Sequence, residues 1–465
     1  MDKGGGRRVR QILEDALKRS KADYTEIRYE KTIATRVVYR YKRLEVASEV
    51  LEEGGTARAL VRRGGWGITT FNHLEDVARF VQDAYECATA LPAQDIKLAP
   101  SEPVVDEIRV SLGRDFRSVP LDRKVELASE YNSVMLGCGD SIVDTTSIYS
   151  DTMTEYYYIN SEGTFIYEQR PEVMVYFVAV ARRDGNVQQA SESFAKPGGF
   201  EYAGGHARLA ESAGRRAVSL LDAPPIKGGR YTVVLNQDLA GVFIHEAFGH
   251  LSEADFVYEN KKAQELMVLG RKFGEKILNA GDDGSVAGLR GTHKYDDEGV
   301  KTRKNYLIKE GVLVGRLHSR ETAAKMNEKP TGNARAINYR FPPIVRMTNT
   351  FIENGTIPFE SLIADIKLGV YACNSMGGQT MLENFSFSAG WGHIIRNGRI
   401  EEMVRDVVLA GNLFVTLANI DGLGNDFRWI ERGGGCGKNG QMPLPVTMGA
   451  PSVRIKDVII GGKQR

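Results

Sequence analysis

The chain has 465 residues, enough for two or three domains that each bury a core of their own. Its 61 Lys and Arg against 60 Asp and Glu leave a net charge of +1, so no overall field points to nucleic acid or an anionic membrane as a partner. No stretch approaches about 18 consecutive apolar residues and the amino terminus has no apolar run of signal-peptide length, which predicts a cytoplasmic protein with no membrane span.

Val9, Ile12, Leu13, Ala16 and Leu17 recur at helical spacing and predict an opening amphipathic helix. Residues 24 to 70 read as a meander of strands broken at Gly54-Gly55 and Gly64-Gly65. Leu74, Val77, Phe80, Val81 and Ala84 mark a second helix, and residues 121 to 136 a third. Strands return from Ser141 to about Ser193, and Ala207 to Leu221 is helical again. The segment DAPPIKGG, at 222 to 229, combines two prolines with two glycines and reads as a linker. This predicts an N-terminal α+β domain of antiparallel strands and helices over residues 1–225. A C-terminal, strand-rich domain over 226–465 follows, with a strand at Arg230 to Leu235, a helix from Asp238, then mostly short strands. The fold class is α+β.

The predicted helix carries HEAFGH, in which His245 and His250 stand five apart. At about 100° per residue that step separates two side chains by about 140° around a regular α-helix, too far for one metal. A π-bulge, with about 4.4 residues per turn, brings them back to within about 50°. Alternatively the helix ends at Gly249 and His250 swings round from the cap. A local irregularity is expected either way, with Gly249 tolerating the distorted backbone. Two histidines beside a glycine also fit ordinary, partly buried polar residues.

A metal would need a third donor from far away in sequence, with Glu246 as a possible general base. Of Cys87, Cys138, Cys373 and Cys436, none forms a CxxC pair, so neither a disulfide framework nor a zinc ribbon is indicated. Cys436 lies in GGGCGK, where flanking glycines offer no core contacts but permit close approach of metal and backbone. One thiolate and two imidazoles suit zinc and leave one position open, and the thiolate disfavours manganese. A free thiol in a mobile glycine loop is the plainer alternative.

HEAFGHLSEADF, TGNARAINYRFPPIVRMTNTF, YACNSMGGQ and GGGCGKNGQMPLPV, in this order and at these separations, resemble the TldD/PmbA family of metallopeptidases, in its branch that keeps HExxxH. The resemblance covers nearly all of residues 226 to 462 and, more weakly, the N-terminal half. It implies one Zn2+ per chain held by His245, His250 and Cys436, with Glu246 as the motif glutamate. It also implies a peptide substrate, small or unfolded, and either a homodimer or a heterodimer with a motif-less paralogue. Leu-Ser-Glu after the second histidine and Met376 in a usually glycine-rich run depart from the common form without touching a ligand.

On this reading zinc activates a water and Glu246 moves its proton. Asn333, Arg335, Tyr339 and Arg340, ahead of Pro342-Pro343, and Gly377 and Gly378 of SMGGQ are the candidate substrate contacts, because a peptidase that binds extended chains needs polar groups and open backbone near the metal. Glu253 and Asp255 read equally as acceptors that orient an imidazole or as carboxylates of a helix-end salt bridge. Asp296-Asp297-Glu298 could bind a cation, but such a run reads more readily as a solvated turn. His73, His206, His293, His318 and His393 read as structural or surface residues. Two other functions remain open: a non-catalytic binding or maturation partner with a structural metal, and a thiol hydrolase using Cys436.

Overall fold

The computed structural model describes residues 3–461. Period-two burial shapes the first half: along Phe165–Arg183, Val173, Val175, Phe177, Ala179 and Ala181 all turn to the buried face. Ile142–Asn160 shows the same alternation. These two strands pair antiparallel with each other, and Ile142–Asn160 pairs in turn with Tyr24–Arg40, which pairs with Arg43–Leu60. Trp66–Phe71, Val105–Ile108 and Asn186–Lys196 complete a seven-stranded sheet. Helix Ala207–Asp222 lays Ala210, Ala213, Ala217 and Leu220, spaced by three or four, into the core on this sheet.

Gly54-Gly55 do not break the meander. The strand runs straight through them and the chain turns at Tyr41-Lys42, where Tyr41 adopts a φ of 49°. Both glycines provide clearance instead: a Cβ on Gly54 would lie 2.4 Å from the Tyr339 ring, and one on Gly55 2.3 Å from that of Phe71.

Among the described residues, the second half contains, besides two two-stranded sheets, two large ones. One joins Leu368–Met381, Gly229–Leu235, Val453–Gly461, Val408–Asn412, Asn384–Arg396 and Arg399–Val404, with Ile420–Leu423 paired to Val453–Gly461. The other includes Lys304–Lys309, Ala280–Asp283, Asn349–Ile352, Thr447–Ala450 and Arg428–Ile430. The expected run of short strands is therefore interrupted by a long hairpin, Leu368–Met381 with Asn384–Arg396. Helix Gln237–Ile244 contacts both sheets, and its residues Leu239, Ala240, Phe243 and Ile244 are fully buried in the shared core. The Asn236 side chain starts it by accepting the Leu239 amide at 3.0 Å.

The acidic run is not a solvated turn. Asp296, Asp297 and Glu298 are 3%, 4% and 4% exposed. Their carboxylates accept backbone amides: Asp296 those of Val300 and Ala334, Asp297 that of Ala336, Glu298 that of Arg320. Arg170, on the N-terminal sheet, donates to both Glu168 at 2.7 Å and Asp297 at 3.2 Å, so the run forms part of the seam between that sheet and the second half. Burial is the largest influence on Glu168 and Asp297 and opposes their ionisation, yet Arg170 together with His293 at Glu168, and with Arg28 and the Ala336 amide at Asp297, outweighs it and holds each at about 2.

Candidate metal centre

At His245 the α-helix widens. Residues His245–Gly249 form a π-helical turn and His250–Ser252 a 3₁₀ turn. The wider turn brings the two imidazoles to the same side, with ring centroids 5.3 Å apart and planes at 81°. Gly249 keeps helical dihedrals, φ −56° and ψ −54°, so backbone freedom is not its role. A Cβ there would sit 2.1 Å from Met347 Sδ, and its absence lets the turn pack down on that side chain.

Cys436 reaches the same point from far along the chain. It opens a short strand paired with Gln441–Leu444, and its carbonyl accepts from the fully buried Arg346 at 2.8 Å. Its Sγ lies 3.3 Å from His250 Nε2, and one donor atom from each of His245, His250 and Cys436 falls within 4.8 Å of the other two. Burial alone would raise the Cys436 thiol and lower both imidazoles. The close thiolate–imidazole contacts reverse this, holding the thiol well below its ordinary value and His245 above its own. For His250, the Glu253 carboxylate and Cys436 overcome burial and hold it well above the usual value.

Each imidazole is fixed through its far nitrogen. His245 Nδ1 lies 3.2 Å from Thr350 Oγ1, which donates to Asp282 at 3.3 Å. His250 Nδ1 lies 3.0 Å from Glu253 Oε2, which also meets Lys438 Nζ at 3.0 Å. Asp255 pairs with the same lysine at 2.7 Å and does not touch a histidine in these contacts. Thr350 and Lys438 lie within the TGNARAINYRFPPIVRMTNTF and GGGCGK strings, but nothing in the sequence marks either as a partner of a metal ligand.

Glu246 is part-exposed and lines a cavity of about 310 Å³ with His245, Cys436, Ser375, Gly377 and Arg432. Its carboxylate is 3.8 Å from His250 Nε2. Of the candidate substrate contacts, Gly377 alone lines this cavity. Gly378 packs under Phe387, whose ring atom would lie 2.0 Å from an added Cβ. Asn333 is buried and donates to Asp282 at 2.9 Å, so it supports the Thr350–His245 chain and faces no open space. Tyr339 is buried beside Gly54 and donates to Asn72 at 3.2 Å. Arg335 lines a separate cavity of about 520 Å³ and donates to the Met347 and Pro445 carbonyls.

The donor set fits a zinc-class ion. A thiolate and two imidazoles converge, each imidazole has its Nδ1 already engaged so that Nε2 faces inward, and a cavity on one side leaves room for another group.

Domain 1 of the PmbA/TldA metallopeptidases matches residues 25–88, their central domain residues 114–221, and their C-terminal domain residues 228–462. The chain belongs to the TldD/PmbA family. A protein of Synechocystis sp. named a metalloprotease is 43% identical over 444 residues, covering 95% of this chain and 96% of that one. A Saccharolobus solfataricus protein named a zinc metalloprotease TldD homolog is 29% identical, covering 95% and 97%. The crystal structure of TldE from Thermococcus kodakarensis superposes with a TM-score of 0.76 at 18% identity, covering 97% and 99%, and establishes a shared α+β fold.

Proposed function

We propose that this TldD/PmbA chain is a zinc-dependent peptidase, binding one Zn2+ and hydrolysing peptide bonds in small or unfolded peptides. The observation that carries the reading is Glu246, a part-exposed carboxylate lining the same cavity as His245 and Cys436. A structural metal has no need of a base beside an open cavity. The names of its relatives, metalloprotease and zinc metalloprotease TldD homolog, support the same class.

When bound, zinc supplies Lewis acidity, polarising a carbonyl oxygen and lowering the pKa of water. The chain's own groups do the rest. Glu246 takes a proton on a carboxylate oxygen and passes it to the leaving amine. Thr350 and Glu253 keep Nε2 of His245 and His250 directed inward by engaging Nδ1. Ser375, Gly377 and the Arg432–Gly435 loop line the cavity beside Glu246 and bound the space open to a peptide.

The family resemblance supports a homodimer or a heterodimer with a motif-less paralogue, and the net charge of +1 and the lack of a long apolar run support a cytoplasmic chain with no nucleic-acid or membrane partner. Among the described residues, no helix is long and apolar enough to cross a membrane. The 3.3 Å contact between Cys436 Sγ and His250 Nε2 favours a second reading, a thiol hydrolase. Hydrolysis of a pool of unstructured peptides separates the two. Zinc chemistry requires activity that a chelator removes and added zinc restores; activity that survives the chelator and disappears on thiol alkylation would replace it with the thiol reading.

A further inference from the structure

The glycine loop that delivers Cys436 is held from the opposite half of the molecule. Arg290, 6% exposed, lies between the two. Its Nε and Nη2 each donate at 2.8 Å to one oxygen of Glu172, on strand Phe165–Arg183 of the N-terminal sheet. Its Nη1 donates to the carbonyls of Arg432 at 2.9 Å and Gly434 at 2.8 Å. Four of the five guanidinium donors are thereby committed to one geometry.

The loop has no side chains with which to fix itself between those carbonyls. A Cβ on Gly433 would meet Met174 Sδ at 2.7 Å and one on Gly435 the Leu444 carbonyl at 2.5 Å, while Gly434 takes a φ of 92°. Its place is set by what grips its backbone. Besides Arg290, the sheet's Asn186–Lys196 strand contributes: the Ala195 amide donates to the Glu431 carbonyl at 3.2 Å, and Ser193 Oγ accepts the Gly433 amide at 3.1 Å. The Arg432 side chain is anchored on Asp238, near the start of the histidine-bearing helix, at 2.7 and 2.8 Å.

We infer that Arg290 is a positioning residue for the metal, clamping the Arg432 and Gly434 carbonyls through Glu172, so that the N-terminal sheet sets where the Cys436 sulfur stands relative to the two imidazoles. The inference rests on the metal reading above. Lysine cannot replace the arginine, because a single ammonium cannot span a carboxylate and two carbonyls in a fixed plane. Groups that orient metal ligands from behind are worth about 10- to 100-fold in metal affinity, and that is the scale expected here.

The test uses the full chain, stripped of metal and titrated with Co2+, whose thiolate charge-transfer absorption reports the sulfur bond directly. Wild type, Arg290→Met, Arg290→Lys, Glu172→Gln and the Arg290→Met/Glu172→Gln pair are compared, with a thermal melt of each metal-free protein. Arg290→Met should bind Co2+ about 10- to 100-fold more weakly with a diminished thiolate band. Arg290→Lys should not restore either, Glu172→Gln should move in the same direction by less, and the double variant should be no worse than Arg290→Met. If Arg290→Met fails to fold, the isosteric Glu172→Gln carries the test by itself. Wild-type affinity and band in a folded Arg290→Met or Glu172→Gln, even with a lowered melting temperature, would overturn the clamp while leaving the metal reading intact. Absence of Co2+ binding by the wild type would instead remove the metal reading and the clamp with it.

Discussion

Glu246 and Glu253 show how position alone separates two carboxylates on one short segment. Glu253 is 1% exposed, and its Oε2 lies 3.0 Å from both His250 Nδ1 and Lys438 Nζ, so it is committed to orientation. Glu246 is 30% exposed, lines the cavity, and lies 3.8 Å from His250, which leaves it available for proton transfer. Glu246→Gln should therefore retain metal at wild-type stoichiometry and lose about 10²- to 10⁴-fold in kcat; steady-state kinetics beside metal analysis would decide, and unchanged kcat would remove it as the base. The sequence marks Glu246 through its neighbour His245, and Cys436 through its glycines. It leaves Glu253 open between two roles because the deciding partner, Lys438, comes from a distant strand. Arg290 is illegible for the same reason, its Glu172 partner belonging to the other half of the chain.

At the scale of the element, the five-residue histidine spacing was legible as an irregular helix because a regular one cannot bring both rings to one ion. Of the two forms the spacing allows, the π-helical turn is the one present. The reason for Gly249 was not legible, since it depends on Met347 packing beneath it rather than on its own dihedrals. Gly249→Ala should cost about 1–3 kcal/mol of stability by overpacking. The cost should shrink in a Met347→Ala background, measured by denaturant unfolding of the four proteins of the cycle; an equal cost in both backgrounds would place the strain elsewhere. Gly54 and Gly55 teach the same lesson in a strand. Glycine pairs signal turns by composition, but here they admit the Tyr339 and Phe71 rings against an unbroken ladder.

At the scale of the molecule, periodicity made the α+β class and most N-terminal elements legible, because each strand or helix shows its own buried face. The seam between the halves was not, since Asp296-Asp297-Glu298 acquires its partners only on folding. Glu168 and Asp297 have folded-state values of about 2, below their ordinary 4.5 and 3.8. A depressed carboxyl contributes stability that is complete above its unfolded value and disappears as pH falls through the folded one, here from about 4.5 towards 2. Arg170→Met removes the guanidinium shared by both, leaving Glu168 only His293 and Asp297 only Arg28, His293 and the Ala336 amide, and should cost about 3–5 kcal/mol at pH 7. The gap between variant and wild type should narrow as pH falls below 4.5; urea unfolding across that range measures it, and a gap independent of pH would show that Arg170 acts through packing alone.

Everything proposed for this chain depends on two imidazoles and a distant thiolate forming one metal centre. Mass-spectrometric metal content of the purified chain, wild type beside Cys436→Ser, tests it most directly. About one zinc per chain is expected in the wild type, and its loss in the variant. No metal in the wild type after zinc is resupplied, or undiminished zinc in Cys436→Ser, would contradict it.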